Sequence, residues 1–136
     1  MQIMRRVGAT AAEGFKKLYH GFDGVFRRGK EVIIAEAKYL GSDEVFSLSH
    51  LGSTRSGIQM GMDWILAVAE RLAKKGQEIG SLIWALAEGF SPNLKRILVI
   101  TRETGKSSGV SRAVLEIFDE IYEVDLRGNI LKWYIR

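Results

Sequence analysis

The chain has 136 residues, of which 46% are hydrophobic, with no cysteine and two histidines; that length and apolar content suit one domain, residues 1–136, with one core and no disulfides. The absence of cysteine excludes thiol catalysis and Cys-based zinc sites, and no run approaches the ~18–20 apolar residues of a membrane span nor does the N-terminus carry a signal-peptide pattern. The net charge of +4 is uneven: residues 1–40 hold eight Lys and Arg against four Asp and Glu, while the remainder holds twelve of each, so the basic excess and its polyanion attraction fall in one segment.

Taken in chain order, Met4, Val7, Ala11, Phe15 and Leu18 fit the buried stripe of a first helix, which would turn Glu13 about 160° or more away, into solvent. The segments from Phe22 to Arg28 and from Glu31 to Tyr39 are rich in Val, Ile, Phe and Tyr and flank Gly29-Lys30, the pattern of a strand hairpin. A two-residue turn there pairs Arg28 with Glu31 and sets Asp23 opposite Glu36, whereas a three-residue loop would send Asp23 to the other face. Ile58, Met62, Ile65, Leu66, Ala69, Leu72 and Ala73 define the apolar stripe of a long helix from about Thr54 to Lys75, with Gln59 and Arg55 at its edge. Ile79 to Gly89 reads as a further helix, Ile97 to Ile100 as a covered strand, and Val110 to Glu120 as helical. The tail reads as a hairpin turning at Gly128-Asn129 and pairing Tyr122 with Ile135, Val124 with Trp133 and Leu126 with Leu131, with Asp125 and Lys132 paired on the other face. Gly105-Lys106-Ser107 resembles the end of a phosphate-binding loop, but position 100, where the motif needs its first glycine, is isoleucine, so residues 102–109 read as an ordinary loop. His20 and His50 are read as structural or solvated.

The hairpin carries the chemistry. On the Asp23 face, Val25, Val32 and Ile34 are apolar, and Asp23, Glu36 and, two residues on, Lys38 complete that surface with charge. Opposed carboxylates repel, by more when buried, and a divalent cation reverses the sign. The bland alternative is a surface Glu36–Lys38 pair; Ile33, Ala35 and Ala37 on the other face argue instead for a strand covered on both sides.

Asp23, the hairpin turn and Glu36-x-Lys38 resemble the PD-(D/E)XK phosphodiesterase superfamily of restriction endonucleases and junction resolvases. The string GFDGVF, then EAKY, then Gln59-Met60 and Trp64-Ile65, is similar to nuclease domains of bacterial polymorphic and contact-dependent-inhibition toxins, over about residues 8–66. The resemblance implies an α/β domain with a mixed central sheet flanked by helices, and a metal-dependent nuclease favouring DNA over RNA. It implies Asp23, Glu36 and the Ala37 carbonyl as ligands of Mg²⁺, with Mn²⁺ or Zn²⁺ as alternatives. Lys38 then orients water or stabilises the phosphate, and Gln59 supports that lysine or the phosphate. A fourth acid, often present on the family's first helix, has Glu13 as its one candidate, which the stripe opposes. Arg27, Arg28 and Arg55, with Arg5, Arg6, Lys16, Lys17 and Lys30, would face nucleic acid, or else form a solvated basic surface. The alternative function is a nuclease-like module that binds nucleic acid or protein without cleaving. Toxin likeness implies an immunity protein, delivery from outside and action in the cytoplasm, whereas Met1 and the short chain suit a free-standing enzyme equally; a homodimer and a role in repair or junction resolution stay open.

Overall fold

The computed structural model describes residues 2–136. Its elements are α1 (Ile3–Arg6), β1 (Thr10–Ala11), β2 (Gly24–Arg28), β3 (Glu31–Leu40), β4 (Ser53–Thr54), β5 (Gly57–Ile58), α2 (Met62–Lys74), α3 (Glu78–Glu88), β6 (Leu94–Arg102), α4 (Arg112–Ile117), β7 (Glu120–Val124) and β8 (Ile130–Ile135). Six strands form one mixed sheet in the order β1-β2-β3-β6-β7-β8. β3, β6 and β7 run parallel at its centre, and the hairpins on either side are antiparallel. The protein is thus of the α/β class, with a mixed central sheet flanked by helices. Among the described residues no helix is long and apolar enough to cross a membrane.

Side-chain alternation divides the sheet into two faces. On one, Val25, Val32, Ile34, Leu98 and Ile100 pack beneath Trp64, Ile65, Val68, Ala69 and Leu72 of α2 and Ile79 and Ile83 of α3. On the other, Ile33, Ala35, Ile97, Val99, Tyr122 and Val124 meet Ile3 and Met4 of α1. The two long helices cross closely at Gly80, where a Cβ would lie 2.6 Å from the Ala69 carbonyl oxygen and the Ala73 amide.

Several local expectations give way to this arrangement. The expected first helix is a single turn followed by strand and loop: Gly8 and Gly14 adopt φ of 80° and 77°, and Ala12 donates its N–H to the Val25 carbonyl rather than to a helical turn. Its supposed stripe is split, with Met4 in the core beneath one sheet face and Phe15 and Leu18 against the core on the other. The helix expected from Thr54 begins at Met62; residues 53–58 form the β4–β5 hairpin, and Met60 enters the core with φ at 68°. Residues 110–120 supply only the six-residue α4, because the chain must extend at Phe118 and join the sheet as β7 at Glu120.

The tail hairpin exists in a different register, with Tyr122 opposite Trp133 and Glu123 opposite Lys132. Asp125 explains the shift. Its carboxylate accepts from the N–H groups of Arg127 and Asn129, and a bulge lies at Glu123/Val124, so the connection is longer than a two-residue turn. Of the loop expected over residues 102–109, residues 103–109 are a loop and Arg102 is the last residue of β6.

Candidate functional site

Gly29 turns the first hairpin at φ 58°, and the observed register runs from Arg28 opposite Glu31 to Gly24 opposite Ala35. Asp23 is the residue before the ladder, and Glu36 the next along β3. Asp23 is held by its neighbours. Phe22 is buried edge-on against Trp64 of α2, with ring centroids 5.5 Å apart. Gly24 gives the Phe26 ring the space a Cβ would take, at 2.6 Å.

The carboxylate of Asp23 accepts the Ala37 N–H at 2.8 Å through Oδ2 and the Lys17 ammonium at 2.9 Å through Oδ1. Because N–H and C=O of one strand residue point to the same side, the Ala37 carbonyl faces this edge as well, beyond the end of β2. Lys38 Nζ lies 3.7 Å from Glu36 Oε1. Two carboxylates, two ammonium groups and one backbone carbonyl therefore converge where β2 stops and β3 continues.

Glu36 is the unusual member. It is 2% exposed, and its Oε2 is buried without a hydrogen-bond donor. Burial, reinforced by the Asp23 carboxylate beside it, pushes the Glu36 carboxyl up to about 8, against the smaller opposing pull of Lys38 and Lys17. Burial also pushes Asp23 upward, but donors from Glu36, the Ala37 N–H and Lys17 outweigh it and leave Asp23 below the usual range. The two shifts oppose one another and favour a proton on Glu36 beside an ionised Asp23. A divalent cation could replace that proton.

Gln59 sits in the turn between β5 and α2, not on a helix. Its neighbour Met60 offers a carbonyl to Arg96, at 3.2 Å, whose Cα partner across the sheet is Ile34, two residues before Glu36. That brings Gln59 to the same sheet face. It makes no hydrogen bond to Asp23, Glu36 or Lys38, and its Oε1 is buried without a donor. Among the described residues, Glu36 Oε2 and Gln59 Oε1 are the buried side-chain atoms left without a partner, and native proteins leave few such atoms.

The arginines separate. Arg27 is exposed on the Asp23 face, four residues and roughly 13 Å along the strand, beside a groove that also holds Glu13 and Glu78. Arg28 points to the opposite face, where Glu31, Glu120 and the Val7 carbonyl engage it. It is committed to the architecture and is removed from the expected nucleic-acid surface. Arg55 is exposed at the tip of the β4–β5 hairpin instead of on a helix. Glu13 is exposed in the loop after β1. His50 is bound to Glu44 and to the Ser47 N–H.

Lys17 escaped the sequence reading of the site. It lies in an irregular segment six residues before Asp23, and only its place in the basic stretch marked it. Two further buried acids on β7 were also missed: Glu120, bound by Arg28 and Tyr122, and Glu123, paired with Arg102 and bonded by Ser107 and Tyr134.

No cluster of three His, Cys, Asp or Glu side chains occurs among the described residues. Two carboxylates, one of them with an orphaned buried oxygen, and a backbone carbonyl match a hard cation that keeps several waters, as Mg²⁺ does. No known protein family, no curated protein and no solved structure matches this chain.

Proposed function

We propose that the chain is a metal-dependent nuclease of the restriction-endonuclease-like kind, hydrolysing phosphodiester bonds with DNA favoured over RNA. The observation that carries this reading is the buried Glu36 carboxyl, one oxygen unpartnered, set against Asp23 at the end of a hairpin with Lys38 alongside. Such an arrangement costs stability and has no packing purpose. Asp23, Glu36 and the Ala37 carbonyl would hold Mg²⁺, which would grip the scissile phosphate and acidify a water. Glu36 would have to be ionised to hold such a cation, since a carboxylate ligates without its proton. Lys38, part-exposed beside Glu36, faces the negative charge that builds on the phosphate, and Gln59 supports the same side.

A non-catalytic binding module is the second reading, favoured by Lys17 already seated on Asp23 Oδ1. Incubation with plasmid, branched DNA and total RNA, with and without Mg²⁺ or Mn²⁺, separates the two. The nuclease cleaves DNA in the presence of metal, and Asp23→Ala, Glu36→Ala and Lys38→Ala each reduce the rate by at least about 100-fold. Intact substrates under every divalent metal would overturn the assignment.

A further inference from the structure

The segment joining Lys17 to Asp23 is built on a tight turn. Gly21 donates its N–H to the Leu18 carbonyl at 3.1 Å, closing four residues whose central pair is Tyr19-His20. His20 occupies the third position with φ 58°, a left-handed conformation uncommon outside glycine and one that asparagine, aspartate and histidine adopt more readily than other residues. Arg71 of α2 holds it there, donating to the Tyr19 carbonyl at 3.3 Å and to the His20 carbonyl at 3.0 Å. Phe22 is buried on one side of the turn and Leu18 packs against the core on the other, so the tip is pinned at both ends. The Lys17–Asp23 ion pair closes its base.

The outcome of this construction is one exposed aromatic. Tyr19 is 85% exposed, its ring tilted against His20 with centroids 4.0 Å apart. Phe90, Trp133 and Tyr39 are exposed as well, and what sets Tyr19 apart is a turn held by Arg71 and placed four positions before Asp23. Asp23 follows four positions after Tyr19, so the Cα atoms of the two lie within about 14 Å. That distance spans a few nucleotides.

Resting on the nuclease reading above, we propose that Tyr19, backed by His20 and clamped by Arg71, is a stacking platform for an unpaired nucleobase, and that the substrate is single-stranded or locally unpaired nucleic acid. Bases inside a duplex present their edges, whereas an unstacked base offers the flat face that an exposed aromatic takes up. Fixing the ring beforehand reduces what must be ordered on binding.

The test is equilibrium binding by fluorescence anisotropy, in EDTA to prevent cleavage, using a labelled single-stranded 12-mer DNA, the same strand made abasic, and the matched duplex. Tyr19→Ala is expected to weaken the intact strand about tenfold while Tyr19→Phe stays within about twofold of the wild type. The abasic strand and the duplex should bind both proteins alike, and the salt slope should not change, because stacking releases no counterions. Thermal unfolding checks that the exposed substitution leaves the fold intact. Equal affinity of wild type and Tyr19→Ala for the intact strand, an equal loss on the abasic strand or duplex, or no binding by the wild type would overturn the inference. A parallel Mn²⁺ cleavage assay keeps the two readings apart: Tyr19-dependent binding without cleavage upholds the platform and removes the catalysis, whereas cleavage with Tyr19-independent binding does the reverse.

Discussion

Glu36 and Glu123 lie on the same face of the sheet, on strands separated only by β6, and both are withdrawn from water. Glu123 is fully provided for. Arg102 pairs with its Oε1 at 2.7 Å, while Ser107 and Tyr134 donate to Oε2. Burial acts to raise it, but these donors hold it below the usual carboxylate range. Arg102 also donates to the carbonyls of Glu44 and Gly109, so this acid ties two loops to the sheet. Glu36 has an ammonium at 3.7 Å, another carboxylate beside it and an oxygen with no donor. Equal burial therefore has two meanings: a completed shell is architecture, and an incomplete one leaves coordination capacity for something outside the chain.

The largest effect should come from breaking the completed shell. Arg102→Met strands a buried charge and frees two loop carbonyls, and urea unfolding should show a loss of about 3–5 kcal/mol. Adding Glu123→Gln should recover part of it. A loss below about 1 kcal/mol in the single variant would erase the contrast between the two acids.

Next in size is the pH dependence, whose signs oppose. Glu36 is raised to about 8, so between about pH 4.5 and 8 the native state keeps a proton that the unfolded chain has released, and its contribution to stability falls as pH rises. Glu123 is lowered, so its contribution is present above the ordinary carboxylate range and is lost as pH falls through its depressed value. Glu36→Gln should flatten the first slope and exceed the wild type at pH 8 by about 2–4 kcal/mol. At that pH, Mn²⁺ at 100 times its Kd should stabilise the wild type by about 2.7 kcal/mol and leave Glu36→Gln unmoved. Thermal unfolding across pH, with and without the ion, measures both; a metal shift retained in Glu36→Gln would place the ion elsewhere.

The smallest effect sharpens the role of Lys17. The Lys17 side chain is largely exposed, so Lys17→Ala should alter stability by less than about 1 kcal/mol. By freeing Asp23 Oδ1 and removing a positive charge, it should tighten Mn²⁺ binding a few-fold in calorimetric titration. Weaker binding would make Lys17 a support of the site and not a competitor for it.

The sequence by itself determined the hairpin and its consequence. Gly29 fixes the turn, the period of two fixes the faces, and together they bring Asp23 to Glu36 over thirteen residues of chain. The same alternation places Arg27 and Arg28 on opposite faces, a separation the summed charge of the segment concealed. The stripes of α2 and α3 were legible because apolar spacing over more than ten residues leaves little choice of period. Only tertiary structure decided the rest. Met4, Phe15 and Leu18 sit at helical spacing yet serve two cores, because Gly8 and Gly14 turn the chain between them. Arg28 finds Glu120 across 92 residues, and Arg96 secures Met60 and so the turn that carries Gln59. Lys17 reaches Asp23 from an irregular loop whose tip Arg71 holds from another element. Hairpin pairing is local and obeys a period, whereas ion pairs between distant segments obey none, so a carboxylate left incomplete can be recognised only once every group that could have completed it has been placed.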